Sequence, residues 1–196
     1  MEPERVIVGL SGASGAAIGV RIAELLAEAR RYETHLVVSP AAERTLYEEV
    51  GSDALPYLRS LATRVHDHRD IGASIASGSF RTAGMIVAPC SIRTLTAIAG
   101  SHLDNLLART ADVQLKERRR LVLMVRESPL HLGHLRAMAQ VTEIGAIIAP
   151  PVPAFYLKPA SLAEAVDHMA RRAIGLLNLH SSGISQREWT GGGPTS

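Results

Sequence analysis

Apolar residues fall along this chain in two alternating registers. Short runs that are apolar almost throughout occur at 6–8, 34–38, 84–88, 121–125 and 146–149, with a weaker one at 64–66. These predict strands, the one at 84–88 being stopped by Pro89. Between them the apolar positions recur every three to four residues. Ile18, Ile22, Leu25 and Leu26 share one face of a predicted helix over 16–30, with charges opposite. Further helices are predicted over 41–50, 91–99, 105–114, 130–144 and 161–179. The last opens on Ser161 with Glu164 three positions on, the two halves of a capping box.

Continuously apolar strands separated by helices predict a parallel sheet covered on both faces. Ligands of such sheets bind at the carboxyl ends of the strands, near the reversal of strand order. Candidate chemistry should therefore lie just after the strands: 11–15, Ser39, 90–94, Arg126 with Glu127, and 150–156.

The first of these places is the most informative. A β-branched run feeds Gly9-Leu-Ser-Gly-Ala-Ser-Gly15, and a helix follows at once. Backbone amides, the hydroxyls of Ser11 and Ser14 and a helix N-terminus meet there, which suits an anion. The glycines are spaced Gly-x-x-Gly-x-x-Gly, so this is neither the dinucleotide fingerprint nor a Walker loop, which would also need a lysine. A plain strand-to-helix turn is the structural alternative. The position after the first strand favours a mononucleotide site.

Composition narrows the picture. The 196 residues are 46% hydrophobic and 20% charged, enough for one α/β domain with a sizeable core. A net charge of +2, with the basic run 116–120 broken by Glu117, gives no footprint for nucleic acid. The single cysteine, Cys90, excludes an internal disulfide and a cysteine-rich zinc site; it reads as a small buried thiol or, alternatively, a nucleophile. The opening has a charged tetrapeptide and a short apolar run, not a signal peptide, and no run is long enough to span a membrane. The expected location is the cytoplasm. The expected organisation is one domain over 1–180 and a Ser- and Gly-rich tail over 181–196 with a mobile end.

Two groups of polar residues stand out at these positions. Ser14, Ser39, Ser91 and Thr94 are neutral donors suited to a nucleotide or flavin phosphate. Arg126 can fork onto a phosphate or a heterocycle carbonyl, or simply pair with Glu127. Arg109 and Lys116, seven apart, share nearly one helix face; they either face water or flank a polyanion. With Arg126, Tyr156 and Arg172 they would ring a second phosphate, Glu127 serving for proton transfer.

Taken in order, the motifs resemble the UbiX/Pad family of flavin prenyltransferases. The resemblance rests on the Gly9–Gly15 turn, Ser77-Gly-Ser-Phe80, Pro89-Cys-Ser-Ile-Arg-Thr-Leu95, Ala111-Asp-Val-Gln-Leu-Lys-Glu-Arg118, Arg126-Glu-Ser-Pro-Leu130 and Pro150-Pro-Val-Pro-Ala-Phe-Tyr156. It runs over about residues 5–180. It implies a flavodoxin-like, Rossmannoid three-layer α/β/α fold and a homo-oligomer, typically a dodecamer. The implied reaction moves a dimethylallyl group from dimethylallyl phosphate to N5 and C6 of reduced FMN. The prenylated FMN would then serve UbiD-type decarboxylases.

The family's FMN-binding positions fall on Gly12, Ala13, Ser14, Ser39, Ser91, Ile92, Arg93, Thr94 and Arg126. Its substrate-phosphate positions fall on Arg109, Lys116, Tyr156 and Arg172. Catalytic roles fall to Ser14, Lys116 and Glu127, and an aromatic lid to Trp189, while Ile71 stands where some relatives have another aromatic. No metal and no aspartate-rich motif are expected. The alternatives are an FMN-dependent cysteine decarboxylase, a flavodoxin-like electron carrier, or a non-enzymatic FMN carrier or small subunit of an aromatic acid decarboxylase complex.

Overall fold

A computed structural model describes residues 3–179, 183 and 184. Six parallel strands form one sheet: β1 (Glu4–Leu10), β2 (Tyr32–Val38), β3 (Arg64–His66), β4 (Gly84–Cys90), β5 (Arg120–Val125) and β6 (Ile147–Ile148). Their order is β3-β2-β1-β4-β5-β6. This is the doubly wound order, and without the short edge strand β3 it reduces to the flavodoxin-like one. The reversal lies between β1 and β4, so the crevice at their carboxyl ends is where a ligand belongs.

The helices are α1 (Ala16–Glu28), α2 (Pro40–Glu49), α3 (Ala54–Leu61), α4 (Ile92–Ala99), α5 (Leu106–Lys116), α6 (Leu132–Glu143) and α7 (Leu162–Leu176). They make the outer two of three layers. Alternate strand residues divide the core accordingly. Val6, Val8 and Leu10 pack with α1, α2, α3 and α7 on one face. Ile7, Met85 and Val87 pack with α4, α5 and α6 on the other. Burial on both faces explains why β4 is buried at all seven positions and reads as one apolar run. Among the described residues, no helix is long and apolar enough to cross a membrane.

Three expectations need correction. The sequence reading did not find α3, which carries Pro56 in its first turn, a place proline tolerates. Pro89 does not stop β4, which runs on to Cys90 across a register shift that absorbs the missing N–H. The long helices are shorter than their apolar periodicity suggested. The residue at 30, just past α1, and the residue at 178, just past α7, take the left-handed conformation that ends a helix. The tail 185–196, with Trp189, lies outside the described residues.

Candidate functional site

The crevice is held together by one buried hydroxyl. Ser11, only 1% exposed, donates to the Pro89 carbonyl at 3.1 Å and accepts from the Ser91 amide at 2.7 Å. This bolts the end of β1 to the end of β4, so Ser11 is structural rather than a free ligand donor. Gly12 follows, and a Cβ there would stand 2.4 Å from the Ala41 Cβ, so the turn and the start of α2 touch. Gly15 caps α1 with a φ of 106°, a conformation glycine adopts without strain.

An open cleft of about 670 Å³ lies over this crevice, a size that suits a mononucleotide. Gly12, Ser39, Ser91, Ile92, Arg93, Thr94 and Glu127 all line it. Ser39 caps α2, accepting from the Ala42 amide at 3.2 Å, and Ser91 caps α4, accepting from the Thr94 amide at 3.3 Å. The Ser39 hydroxyl keeps its own proton to donate, whereas Ser91 donates its proton to the Thr94 hydroxyl at 3.2 Å. Two helix N-termini with hydroxyl caps therefore open into one cleft. Amides, hydroxyls and the close backbone approach at Gly12 fit a flavin mononucleotide, and the α2 and α4 N-termini are suited to an anionic group.

The N-terminus of α1 is filled by the protein itself. The Glu49 carboxylate, from the last turn of α2, accepts from the amides of Gly15 at 2.8 Å and Ala16 at 2.9 Å. It also bonds the Ser14 hydroxyl and lies close enough to Arg126 to feel its charge. Burial raises its pKa, but these hydrogen bonds together outweigh burial and keep the carboxyl below its ordinary value. Glu49 is thus an ionised group of the site that sequence reasoning missed. Its only local signal is its place at the end of α2, 34 residues from the amide it caps.

Tyr156 and Arg172 come together elsewhere. They line a second cavity of about 210 Å³ between α7, the 150–157 loop and the carboxyl ends of β5 and β6. Its other walls include Met124, Pro150, Val152 and Met169, so it offers apolar surface with cationic heads. Arg126 and Glu127 stand exposed at the end of β5, and one Glu127 oxygen accepts from the Ser128 amide.

The remaining cations do not join them within one chain. Arg109 pairs with Asp112 at 3.2 Å. Lys116 ends α5, pairs with Glu117 and sits against Gly78, four residues before β5 begins. It is therefore at the amino ends of the strands and on the α4–α6 face, whereas Arg172 is on the opposite face. Arg119 holds the Ser77–Phe80 turn by the carbonyls of Gly78, at 2.6 Å, and Phe80, at 2.8 Å.

Cys90 is fully buried, and burial pushes its thiol up to about 12, so it is no nucleophile at neutral pH. His68, His102 and Asp104 line the cleft without having been singled out from sequence, because they belong to loops with no periodic signal.

The comparisons agree with this geometry. The Flavoprotein family matches residues 1–169. The flavin prenyltransferase UbiX of Thauera aromatica is 53% identical over 187 residues, 95% of this chain and 94% of that protein. The crystal structure of AnUbiX (PadA1), in complex with FMN and dimethylallyl pyrophosphate, superposes with a TM-score of 0.89 at 45% identity, covering 97% of this chain and all of that one. A dodecameric FMN-dependent UbiX-like decarboxylase from Escherichia coli O157:H7 does so with a TM-score of 0.88 at 41% identity, covering 95% of this chain and all of that one. With its parallel fold, its flavin-sized cleft and identity of this extent, the chain belongs to the UbiX family of flavin prenyltransferases.

Proposed function

We propose that this enzyme joins the dimethylallyl group of dimethylallyl phosphate to N5 and C6 of reduced FMN, and that its product serves a UbiD-type decarboxylase. FMN enters as the prenyl acceptor, supplying nucleophilic N5 and C6. Carbon C1 of the allyl group bonds to N5 as its bond to the phosphate oxygen breaks. N5 gives up its proton, and carbon C3 then bonds to C6 as the C2=C3 double bond takes up a proton at C2 and C6 gives up its own.

The observation that carries this reading is the pairing of a hydroxyl- and amide-lined cleft with a separate apolar cavity that ends in Tyr156 and Arg172. The cleft suits the flavin and its phosphate. The cavity suits a five-carbon chain with an anionic head. Arg172, Arg126 and the Tyr156 hydroxyl stabilise the departing phosphate, and Glu127 handles the proton it needs. The Ser14 hydroxyl, held by ionised Glu49, is oriented to relay a proton at N5. Gly12, Ala13, Ser39, Ser91, Ile92, Arg93 and Thr94 hold FMN, while Trp189, the aromatic lid the resemblance implies, lies outside the described residues.

Lys116 and Arg109 serve the site of a neighbouring copy. Lys116, at the far end of α5, is remote from Tyr156 within one chain, Arg109 does not line the Tyr156 cavity, and a dodecameric relative supports a shared site. The enzyme is then a cytoplasmic homododecamer. Mixing Lys116→Ala and Arg172→Ala proteins tests this, since hybrid oligomers regain activity only if the two residues meet across copies. The reaction itself is tested by incubating the protein with reduced FMN and dimethylallyl phosphate, or in parallel the pyrophosphate, and weighing the flavin. A gain of one C5H8 unit is expected; unchanged flavin would leave an FMN carrier.

A further inference from the structure

His68 lies in none of the motifs above, yet it lines the flavin cleft. It stands in the loop after β3. That loop is pinned, because the His68 carbonyl accepts from the Leu106 amide, in the first turn of α5, at 2.8 Å. Half-buried His68 borders two spaces. One is the cleft with Ser39, Ser91, Arg93 and Thr94. The other is a polar cavity of about 430 Å³ with Glu43, Arg59, Asp67 and Arg69. Pro40, in the first turn of α2, lines both spaces, so His68 lies beside the α2 N-terminus.

The charges around it are few. Asp67 lies in its own loop, Arg93 on α4 and Asp104 ahead of α5. In the polar cavity Arg59 is paired with Glu43 and Arg69 with Asp67. Burial chiefly holds the imidazole pKa below its ordinary value; Asp67 and Asp104 raise it, and Arg93 lowers it further.

A nucleotide phosphate brings a charge of about −1.5 to −2. The cleft lining offers one permanent cation, Arg93, against the carboxylates of Asp104 and Glu127. The lining groups able to become cationic are His68 and His102. His102 folds back over Gly100, its ring 2.9 Å from where a Cβ would be. His68 is beside Arg93 and the α2 N-terminus, whose amides suit a phosphate.

We propose that His68 holds the FMN phosphate, taking up a proton as FMN docks and donating a hydrogen bond to it. This rests on the cleft being the FMN site. The test is FMN affinity by flavin fluorescence from pH 6 to pH 8.5, for the full chain and for His68→Gln and His68→Lys, with riboflavin as the ligand lacking phosphate. The ratio of the His68→Gln and unaltered Kd values cancels the titration of FMN itself. It should be near one at pH 8.5 and rise to about tenfold at pH 6. His68→Lys should bind FMN at pH 8.5 as tightly as the unaltered chain does at pH 6. Riboflavin affinity should not respond to either substitution. A ratio independent of pH, or an equal response for riboflavin, overturns the role of His68 while leaving the FMN site standing. No FMN binding by the unaltered chain overturns both.

Discussion

The two cavities at the carboxyl ends of the sheet are built from different materials. The cleft over β1 and β4 is backbone work: helix N-termini, serine caps and a glycine that brings α2 against the turn. The cavity under α7 is side-chain work, apolar walls with Tyr156 and Arg172 at the end. Backbone amides are in place once the sheet and helices form, and they cost little to orient. Long cations must be ordered, and in the proposed assembly some come from another copy. Binding of FMN should therefore depend on local geometry within one chain, and turnover on the second cavity and the assembly.

The sharpest way to break this contrast is Arg172→Ala. Loss of one cation at the departing phosphate should lower kcat/KM about 10²- to 10³-fold while FMN affinity stays the same. Stopped turnover with dimethylallyl phosphate, alongside FMN titration, reads both. Equal losses in both would merge the two cavities into one function. The converse change is Gly12→Val. Its side chain must displace Ala41 and with it the α2 N-terminus, so FMN affinity should fall by about tenfold or more. Far-ultraviolet circular dichroism should show the helices retained.

The same division explains what could be read from the chain. The turn at Gly9–Gly15 and the residues Ser39 and Ser91 were legible because capping and strand-to-helix turns leave local signatures. Glu49 was not, because its partner amides lie 34 residues away and only the fold joins them. Tyr156 and Arg172 met as the resemblance implied, but nothing in their spacing required it. Lys116 shows the opposite case: helical spacing put it near Arg109, while topology carried it to the far end of the sheet. Helix α4, also of eight residues, was legible behind its serine cap; α3, equally short, has no side-chain cap and carries a proline in its first turn.

A smaller effect tests the sheet edge, far from the departing phosphate. His35 is 4% exposed and its Nδ1 lies 2.9 Å from His66 Nε2, with Arg5, Glu33, Arg64 and Phe80 around them. Burial, then the charge of His66, lowers the His35 pKa to about 4. The folded state therefore resists a proton that the unfolded chain accepts. Stability should be full above about pH 6.5 and fall towards pH 4, by on the order of 2 kcal/mol. Urea unfolding at pH 7 and pH 5 measures it, and His35→Leu should flatten the slope.

The finest test separates a cap from a ligand. Ser39, Ser91 and Ser161 each accept a backbone amide at a helix start, at 3.2, 3.3 and 3.1 Å. Replacing any of them by alanine should cost about 1 kcal/mol of stability, since each loses the same bond. Ser161, at the start of α7, does not line the cleft; Ser39 and Ser91 do, Ser39 with a hydroxyl proton left to donate and Ser91 with one that a ligand would take over from Thr94. Ser39→Ala and Ser91→Ala should therefore weaken FMN binding several-fold, about what a neutral hydrogen bond contributes, and Ser161→Ala should not. If all three weaken FMN binding equally, the serines act through helix stability alone. The cleft would then hold its ligand by amides, and the contrast with the second cavity would narrow to backbone against side chain with no hydroxyl part in it.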